Sequence, residues 1–139
     1  MFVPDYKEKK GLKILLVEDE SIPMLVHQMM LTELGHTPDK AEDGQKALDL
    51  ACKNYDLILM DIGLPDINGF EVTLRIRQME YKQERARAYI VALTAYSLVE
   101  IREECLVAEM DEVILKPVAA QRLQELLDKV IALKGNKHL

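Results

Sequence analysis

The sequence predicts an α/β fold in which a parallel five-stranded sheet is covered by helices on both faces. Five short apolar runs alternate with segments of helical periodicity along the 139 residues. The clearest runs, residues 13–17 and 56–60, are apolar without alternation, which is typical of strands buried on both faces. Strands that alternate with helices imply right-handed crossovers and one parallel sheet. We expect one domain over residues 11–133, between a flexible lead-in (1–10) and a tail (134–139).

The first part of the chain, residues 13–41, predicts two strands and one helix. The first strand, residues 13–17, ends in the acidic triplet Glu18-Asp19-Glu20. Ser21 is a candidate N-cap for a helix that ends at Gly35, an ordinary stop signal. The apolar residues at helical spacing in it are Ile22, Leu25, Val26, Met29 and Met30, of which the two methionines fall at positions that could face the core. A weak strand over residues 37–41 should lie at the sheet edge, because Pro38 cannot donate a ladder hydrogen bond.

The rest of the chain continues the alternation with four helices and three strands. Asp43 is a plausible cap for a helix over residues 43–53, and strand 56–60 is followed by Asp61 and a Pro/Gly-rich loop. A helix over residues 70–79 and a polar connection over 80–87 precede a strand at 89–93. The last strand is predicted at 112–115. The apolar stripes of the last two helices are Leu98, Ile101, Cys105 and Ala108, and Leu123, Leu126, Leu127 and Val130.

Composition excludes several classes of function. The formal net charge of −6 and the lack of a basic cluster argue against direct binding of nucleic acid. No apolar run approaches the roughly 20 residues that span a bilayer, so we expect no membrane contact by this domain. Cys52 and Cys105 have no CxxC spacing and are expected to be buried free thiols in the cytoplasm. His27 and His36 have no neighbour at ligand spacing, so surface or packing roles are expected.

Polar residues follow four of the predicted strands: Glu18, Asp19, Asp61, Thr94 and Lys116. In a doubly wound sheet the carboxyl ends of the strands share one edge, where ligands bind. Clustered carboxylates repel one another, and a hard divalent cation such as Mg²⁺ would relieve that repulsion. Lys116 and Thr94 would hold the oxygens of a phosphoryl group on Asp61, whose carboxylate needs no general base to react.

Four motifs in order carry a resemblance to a known family: VEDE at residues 17–20, LMDIGLPDING at 59–69, LTA at 93–95 and LKP at 115–117. Together they resemble the receiver domains of response regulators in two-component signalling, over residues 11–130. The resemblance implies a flavodoxin-like, doubly wound (βα)5 three-layer sandwich with sheet order 2-1-3-4-5. It also implies that a histidine kinase or a histidine-phosphotransfer domain is the partner, and that the isolated domain is not an enzyme.

The resemblance assigns a role to each residue of the cluster. Asp61 would be phosphorylated; Asp19, Asp61 and the backbone carbonyl of Gly63 would ligate Mg²⁺ directly, and Glu18 would act through a water. Thr94 and Lys116 would bind the phosphoryl oxygens. The peptide bond between Lys116 and Pro117 would be cis.

Three positions depart from the usual pattern of that family. Val113 stands where many receivers carry the aromatic partner of the switch threonine, and Tyr96 is a candidate for a related role. Glu18 replaces the commoner aspartate, which predicts an altered affinity for metal. Gly63 places no side chain over the phosphoryl group; easier access to the site and a loop that favours glycine explain it equally well.

Several alternatives remain open at this stage. The domain could be the receiver module of a hybrid sensor histidine kinase, which would place it in the cytoplasmic part of a membrane-bound parent, or a stand-alone response regulator. A flavodoxin-like cofactor binder is disfavoured because Glu18 and Asp19 would repel a phosphate. A Mg²⁺-dependent phosphohydrolase is disfavoured because Gly63 stands where the second carboxylate of an Asp-x-Asp pair is needed.

Overall fold

A computed structural model describes residues 11–136, which form a single five-stranded parallel sheet flanked by helices. The strands are β1 (Ile14–Val17), β2 (Asp39–Ala41), β3 (Leu57–Asp61), β4 (Tyr89–Thr94) and β5 (Glu112–Leu115). The helices are α1 (Ser21–Glu33), α2 (Gly44–Leu50), α3 (Gly69–Gln83), α4 (Leu98–Ala108) and α5 (Ala120–Asn136), and a 3₁₀ turn spans Ala51–Lys53. The strand order β2-β1-β3-β4-β5 confirms the predicted topology, with β2 at one edge.

The sheet separates two cores, because successive side chains of a strand point to opposite faces. In β1, Ile14 and Leu16 enter one core, whereas Leu15 and Val17 enter the other. The first core is completed by α1 and by the buried stripe of α5, as expected for Leu123, Leu126, Leu127 and Val130. The second core is completed by α2 and α3. Both faces of the sheet are therefore covered, which fixes the carboxyl ends of the strands as the accessible edge.

Helix α1 turns a different face inward from the one that its apolar pattern suggests. Its buried residues are His27 and Leu31, whereas four apolar residues are 46–73% exposed: Ile22, Leu25, Val26 and Met29. Met30 does pack against the first core. Ser21 does not cap the helix; Glu20 occupies the cap position without a side-chain hydrogen bond. The hydrophobic spacing correctly predicted a helix, but it does not coincide with the face that the fold buries.

Helices α2 and α3 differ in length from the predicted segments. Asp43 caps α2 as expected by accepting a hydrogen bond from Lys46 N at 2.7 Å. The predicted helix to residue 53 ends instead as the 3₁₀ turn, and Cys52 is exposed rather than buried. Helix α3 continues four residues past the predicted end because Glu80, which looked like part of a polar connection, is buried beside Arg77.

The last helix extends into the segment that was expected to be a tail. The expected boundary at residue 133 falls inside α5, which continues through Asn136. The expected lead-in (1–10) and the end of the expected tail (137–139) lie outside the described residues. Within residues 11–136, no helix is both long and apolar enough to cross a bilayer.

Candidate functional site

The structure brings the polar residues of the strand ends to one edge of the sheet. Glu18 and Asp19 follow β1 directly, Asp61 and Thr94 are the last residues of β3 and β4, and Lys116 follows β5. β1, β3 and β4 are neighbours in the sheet, and the register places Asp61 beside Leu93, one residue before Thr94. Parallel pairing thus brings these residues to the same edge of the sheet, as their positions at the strand ends predicted.

Asp61 lies in a half-buried, hydrogen-bonded position. Its Oδ1 accepts a hydrogen bond from Gly63 N at 3.0 Å, and its Oδ2 lies 3.5 Å from Lys116 Nζ. Burial raises the pKa of Asp61 above its ordinary value, and the negative charges of Glu18 and Asp19 raise that pKa further. The Gly63 N–H and the charge of Lys116 lower it, but the net shift is upward. The carboxylates therefore repel one another in this pocket, and Lys116 compensates only part of the charge.

Lys116 connects two of these carboxylates. Its Nζ lies 3.3 Å from Glu18 Oε1 as well as 3.5 Å from Asp61 Oδ2. Burial lowers the pKa of Lys116, but the charges of Glu18 and Asp61 outweigh it, so the net shift of that pKa is upward. The lysine is thus a firmly protonated cation next to Asp61. The peptide bond that follows it, to Pro117, is cis, as the resemblance implied.

Thr94 is buried, but the structure does not join its hydroxyl to the charged cluster. Its Oγ1 accepts a hydrogen bond from Tyr96 N at 2.9 Å, and its backbone carbonyl accepts one from Lys116 N at 2.8 Å. Tyr96 itself projects into solvent, and Val113 is half-buried in β5. Thr94 therefore lies beside Lys116 through its backbone, with a hydroxyl proton that remains able to turn toward a new acceptor.

The donor set at this edge fits a hard cation such as Mg²⁺. Asp19 is exposed, Asp61 is half-buried, and Gly63 lies in an open loop whose backbone can be approached, since nothing stands within 4 Å of where its Cβ would be. Carboxylate and carbonyl oxygens are the ligands that Mg²⁺ prefers. Across residues 11–136, no three His, Cys, Asp or Glu side chains are already grouped to hold a metal ion. The set that fits is thus two carboxylates and one carbonyl, completed by water.

Glu18 is the member of the cluster whose surroundings the sequence did not reveal. Its side chain is fully buried, and its Oε2 contacts Nδ1 of His27 in α1. His27 was expected to pack or to lie at the surface, and it does pack, against the carboxylate of Glu18. One signal could have found it: His27 stands one helical turn before Leu31, on the inner face of α1, and that helix starts directly after the acidic triplet.

The loop after Asp61 is held by contacts to two neighbouring helices. Asp66 accepts hydrogen bonds from Gly44 N and Gln45 N at the start of α2, at 2.8 and 3.0 Å. At the start of α3, Asn68 caps the helix and Gly69 N donates to the Ile62 carbonyl at 2.9 Å. These bonds fix the loop whose Gly63 N–H donates to Asp61.

Comparison with known proteins gives consistent matches. Residues 14–128 match the family described as response regulator receiver domain. Histidine kinase 5 of Arabidopsis thaliana is 35% identical over an alignment that covers 91% of this chain. That kinase and four further curated relatives, three of them named hybrid signal transduction histidine kinases, are far longer, and the chain spans 6–16% of their lengths.

Solved structures of receiver domains resemble this chain in both sequence and fold. The receiver domain of the sensor histidine kinase PA1611 from Pseudomonas aeruginosa, solved with a magnesium ion in its active-site cleft, is 39% identical, with a TM-score of 0.78. The match covers 88% of this chain and 98% of that one. The receiver domain of Ssk1 from Saccharomyces cerevisiae, crystallised with the histidine phosphotransfer protein Ypd1, gives 25% identity, a TM-score of 0.83, and 89% and 91% coverage.

Proposed function

Because the chain belongs to the family of response regulator receiver domains, we propose that Asp61 accepts a phosphoryl group from the phosphohistidine of a partner protein. The observation that carries the proposal is the geometry of Asp61. Its Oδ1 accepts a hydrogen bond from Gly63 N at 3.0 Å, and its Oδ2 lies 3.5 Å from Lys116 Nζ. A carboxylate oxygen attacks phosphorus, the phosphorus–nitrogen bond breaks, and its electron pair stays on the departing imidazole. The products are an acyl phosphate on Asp61 and a free histidine.

The neighbouring residues supply positioning and positive charge for this transfer. Lys116 would move from its shared position between Glu18 and Asp61 toward a phosphoryl oxygen, and the Thr94 hydroxyl would turn to donate to another. Asp19, Asp61 and the Gly63 carbonyl would hold Mg²⁺, with Glu18 acting through a water. When bound, that ion supplies charge neutralisation for the phosphoryl oxygens and the carboxylates.

The direct test is phosphorylation by a small-molecule phosphodonor with and without Mg²⁺, measured by intact mass. We expect a Mg²⁺-dependent gain of one phosphoryl group that is lost in base, as an acyl phosphate should be. The Asp61→Asn variant should show no gain of mass. The control is Asp66→Asn, which changes the other aspartate of this segment and should still be phosphorylated. A gain that persists in Asp61→Asn would refute the proposal, and multiple turnover on a phosphate ester would indicate a phosphohydrolase instead.

The exposed face of α1 is the proposed docking surface for the phosphohistidine partner. We call Ile22, Leu25, Val26 and Met29 the α1 patch; their spacing places them along one side of the helix. Exposed apolar patches on soluble domains often mark interaction sites. Helix α1 begins directly after the acidic triplet, so a protein that presents a histidine to Asp61 must also cover the start of α1. A helical partner with apolar residues around its histidine suits this surface.

A charge placed in the α1 patch should separate docking from chemistry. We expect Leu25→Lys to slow phosphoryl transfer from a phosphorylated histidine-phosphotransfer domain by about tenfold or more, the effect of about 1.4 kcal/mol. Phosphorylation by a small phosphodonor should not change. The matched control is Val99→Lys, an exposed apolar residue of α4 outside the patch. If Val99→Lys slows the transfer and Leu25→Lys does not, the partner docks elsewhere.

The parent protein is proposed to be a hybrid sensor histidine kinase. The curated relatives are histidine kinases of which the matching segment forms a small part, and three are named as hybrids. Residues 11–133 would then be its phosphoacceptor domain, on the cytoplasmic side of the membrane. It would pass the phosphoryl group between the kinase histidine and a downstream histidine-phosphotransfer domain, while the isolated domain catalyses no turnover on other substrates.

A further inference from the structure

Glu18 is held from two sides, and one of the two donors has no role in the proposed chemistry. Lys116 Nζ lies 3.3 Å from Oε1, and His27 Nδ1 contacts Oε2. A carboxylate can only accept hydrogen bonds, so His27 Nδ1 must carry the hydrogen of this contact. His27 belongs to α1 and Lys116 to the loop after β5. The glutamate is therefore fixed between two separate elements of the fold, one donor to each oxygen.

A buried carboxylate requires such partners. The Glu18 side chain has no solvent exposure, and an ionised group in that position is costly unless each oxygen is hydrogen-bonded. Glutamate also has three side-chain torsions, so its carboxylate can occupy several positions unless neighbours restrict it. Without His27, Oε2 would lose its donor, and the carboxylate would have to turn toward Lys116 or incoming water.

The geometry points to His27 as a positioning residue: we propose that its hydrogen bond fixes Glu18 in the orientation that the Mg²⁺ site requires. The inference rests on the proposed function, because it assigns a support for the same site. The contacts form a continuous line from His27 through Glu18 and Lys116 to Asp61. Partners that orient groups around a metal are worth about 10–100-fold in affinity or activity. His27 acts only through Glu18 and touches neither Asp61 nor Lys116 in the hydrogen-bond network of residues 11–136.

The test compares Mg²⁺ affinity, measured by calorimetric titration of the whole chain, in three variants. His27→Leu replaces the imidazole with an apolar side chain and so removes the donor, and its Mg²⁺ dissociation constant should rise about tenfold. His27→Asn keeps an N–H near the position of Nδ1, and its affinity should lie within about threefold of the wild type. The control is His36→Leu. His36 is also 8% exposed and accepts a hydrogen bond from Leu12 N, outside the site, so its loss should leave the affinity unchanged.

The outcomes separate this inference from the proposed function. A wild-type affinity in His27→Leu, or an equal loss in His27→Asn and His27→Leu, would overturn the role of the donor. If the wild type itself takes no phosphoryl group on Asp61, the proposed function fails instead. If His27→Leu does not fold, a measurement on the wild type still tests the role of His27. The ring nitrogen resonances of His27 should shift on Mg²⁺ titration and those of His36 should not, and a stationary His27 signal would contradict the proposal.

Discussion

Replacement of Arg77 by methionine is expected to lower the free energy of unfolding by about 3–5 kcal/mol, the usual cost of removing one partner from a buried ion pair. Arg77 lies in α3 and is 1% exposed. Its guanidinium donates to Glu80 Oε1 at 2.9 Å and to Asp111 Oδ2 at 2.8 Å. It also donates to the backbone carbonyls of Ala88 and Glu109. One side chain thus joins α3, the start of β4 and the connection between α4 and β5.

The cost arises from the groups that the arginine would leave behind. Glu80 and Asp111 would keep their charges in positions where the side chains are only 8% and 17% exposed. The two backbone carbonyls would lose a donor as well, and unsatisfied buried acceptors each cost about 1–3 kcal/mol. Methionine fills much of the volume of the arginine stem, so the effect measures the lost polar contacts more than a cavity.

Urea denaturation of Arg77→Met and of Arg75→Met provides the comparison. Arg75 lies on the same helix and pairs with Glu71, but both side chains are more than 40% exposed, so its loss should change the stability by less than about 0.5–1 kcal/mol. The site is at the opposite end of the strands from this network, and Arg77→Met that remains folded should still be phosphorylated on Asp61. A loss below about 1 kcal/mol in Arg77→Met would show that the network contributes no net stability.

Arg77 also shows why parts of the fold could not be predicted from the sequence. A parallel sheet covered on both faces and the convergence of Glu18, Asp61 and Lys116 follow from apolar runs and from polar residues at strand ends, which are local patterns. The strand order was implied by the family resemblance. Residues 80–83 look like a polar connection, but they form the last turn of α3, in which the buried Glu80 pairs with Arg77 one turn earlier and accepts a hydrogen bond from Ala88 N beyond the helix. A polar residue at a buried position gives no signal in a hydrophobic pattern.

Helix α1 also shows that an apolar pattern can predict an element without predicting which of its faces is buried. Its apolar spacing predicted the helix correctly but not its orientation, because the α1 patch is exposed while His27 is buried. If the patch binds a partner, as proposed, its apolar residues serve binding and not the core.

The position of Thr94 was predictable, since it ends β4, but the rotation of its hydroxyl toward Tyr96 N was not. Side-chain rotamers at the site depend on hydrogen-bond partners, which apolar runs and helical spacing do not specify.

The second large effect is expected at Gly69, where an added methyl group should disturb both the fold and Asp61. A Cβ at this position would lie 2.6 Å from the carbonyl oxygen of Asp61 and 2.9 Å from Cα of Ile62. Both are backbone atoms, which cannot move aside as the end of a flexible side chain can. The start of α3 must therefore pack directly against the loop that follows β3, and only glycine permits that approach.

Gly69→Ala should lower the free energy of unfolding by about 2–4 kcal/mol, in the range of severe local strain. It should also slow phosphorylation by a small phosphodonor in the fraction that remains folded. The hydrogen bond from Gly69 N to the Ile62 carbonyl holds the loop whose Gly63 N–H reaches Asp61. The unfolding control is Gly63→Ala, because a Cβ there meets no atom within 4 Å, and its stability should change by less than about 1 kcal/mol.

The two measurements together distinguish strain from simple loss of fold. If the packing of α3 on the loop orients Asp61, the folded fraction of Gly69→Ala should bind Mg²⁺ and accept the phosphoryl group more slowly than the wild type at a temperature far below its unfolding midpoint. Saturating Mg²⁺ should then recover part of the lost stability, since a ligand that binds only the native state stabilises it. Equal stability of Gly69→Ala and the wild type would mean that the loop relaxes away from α3 without cost. Asp61 would then be positioned by β3 alone.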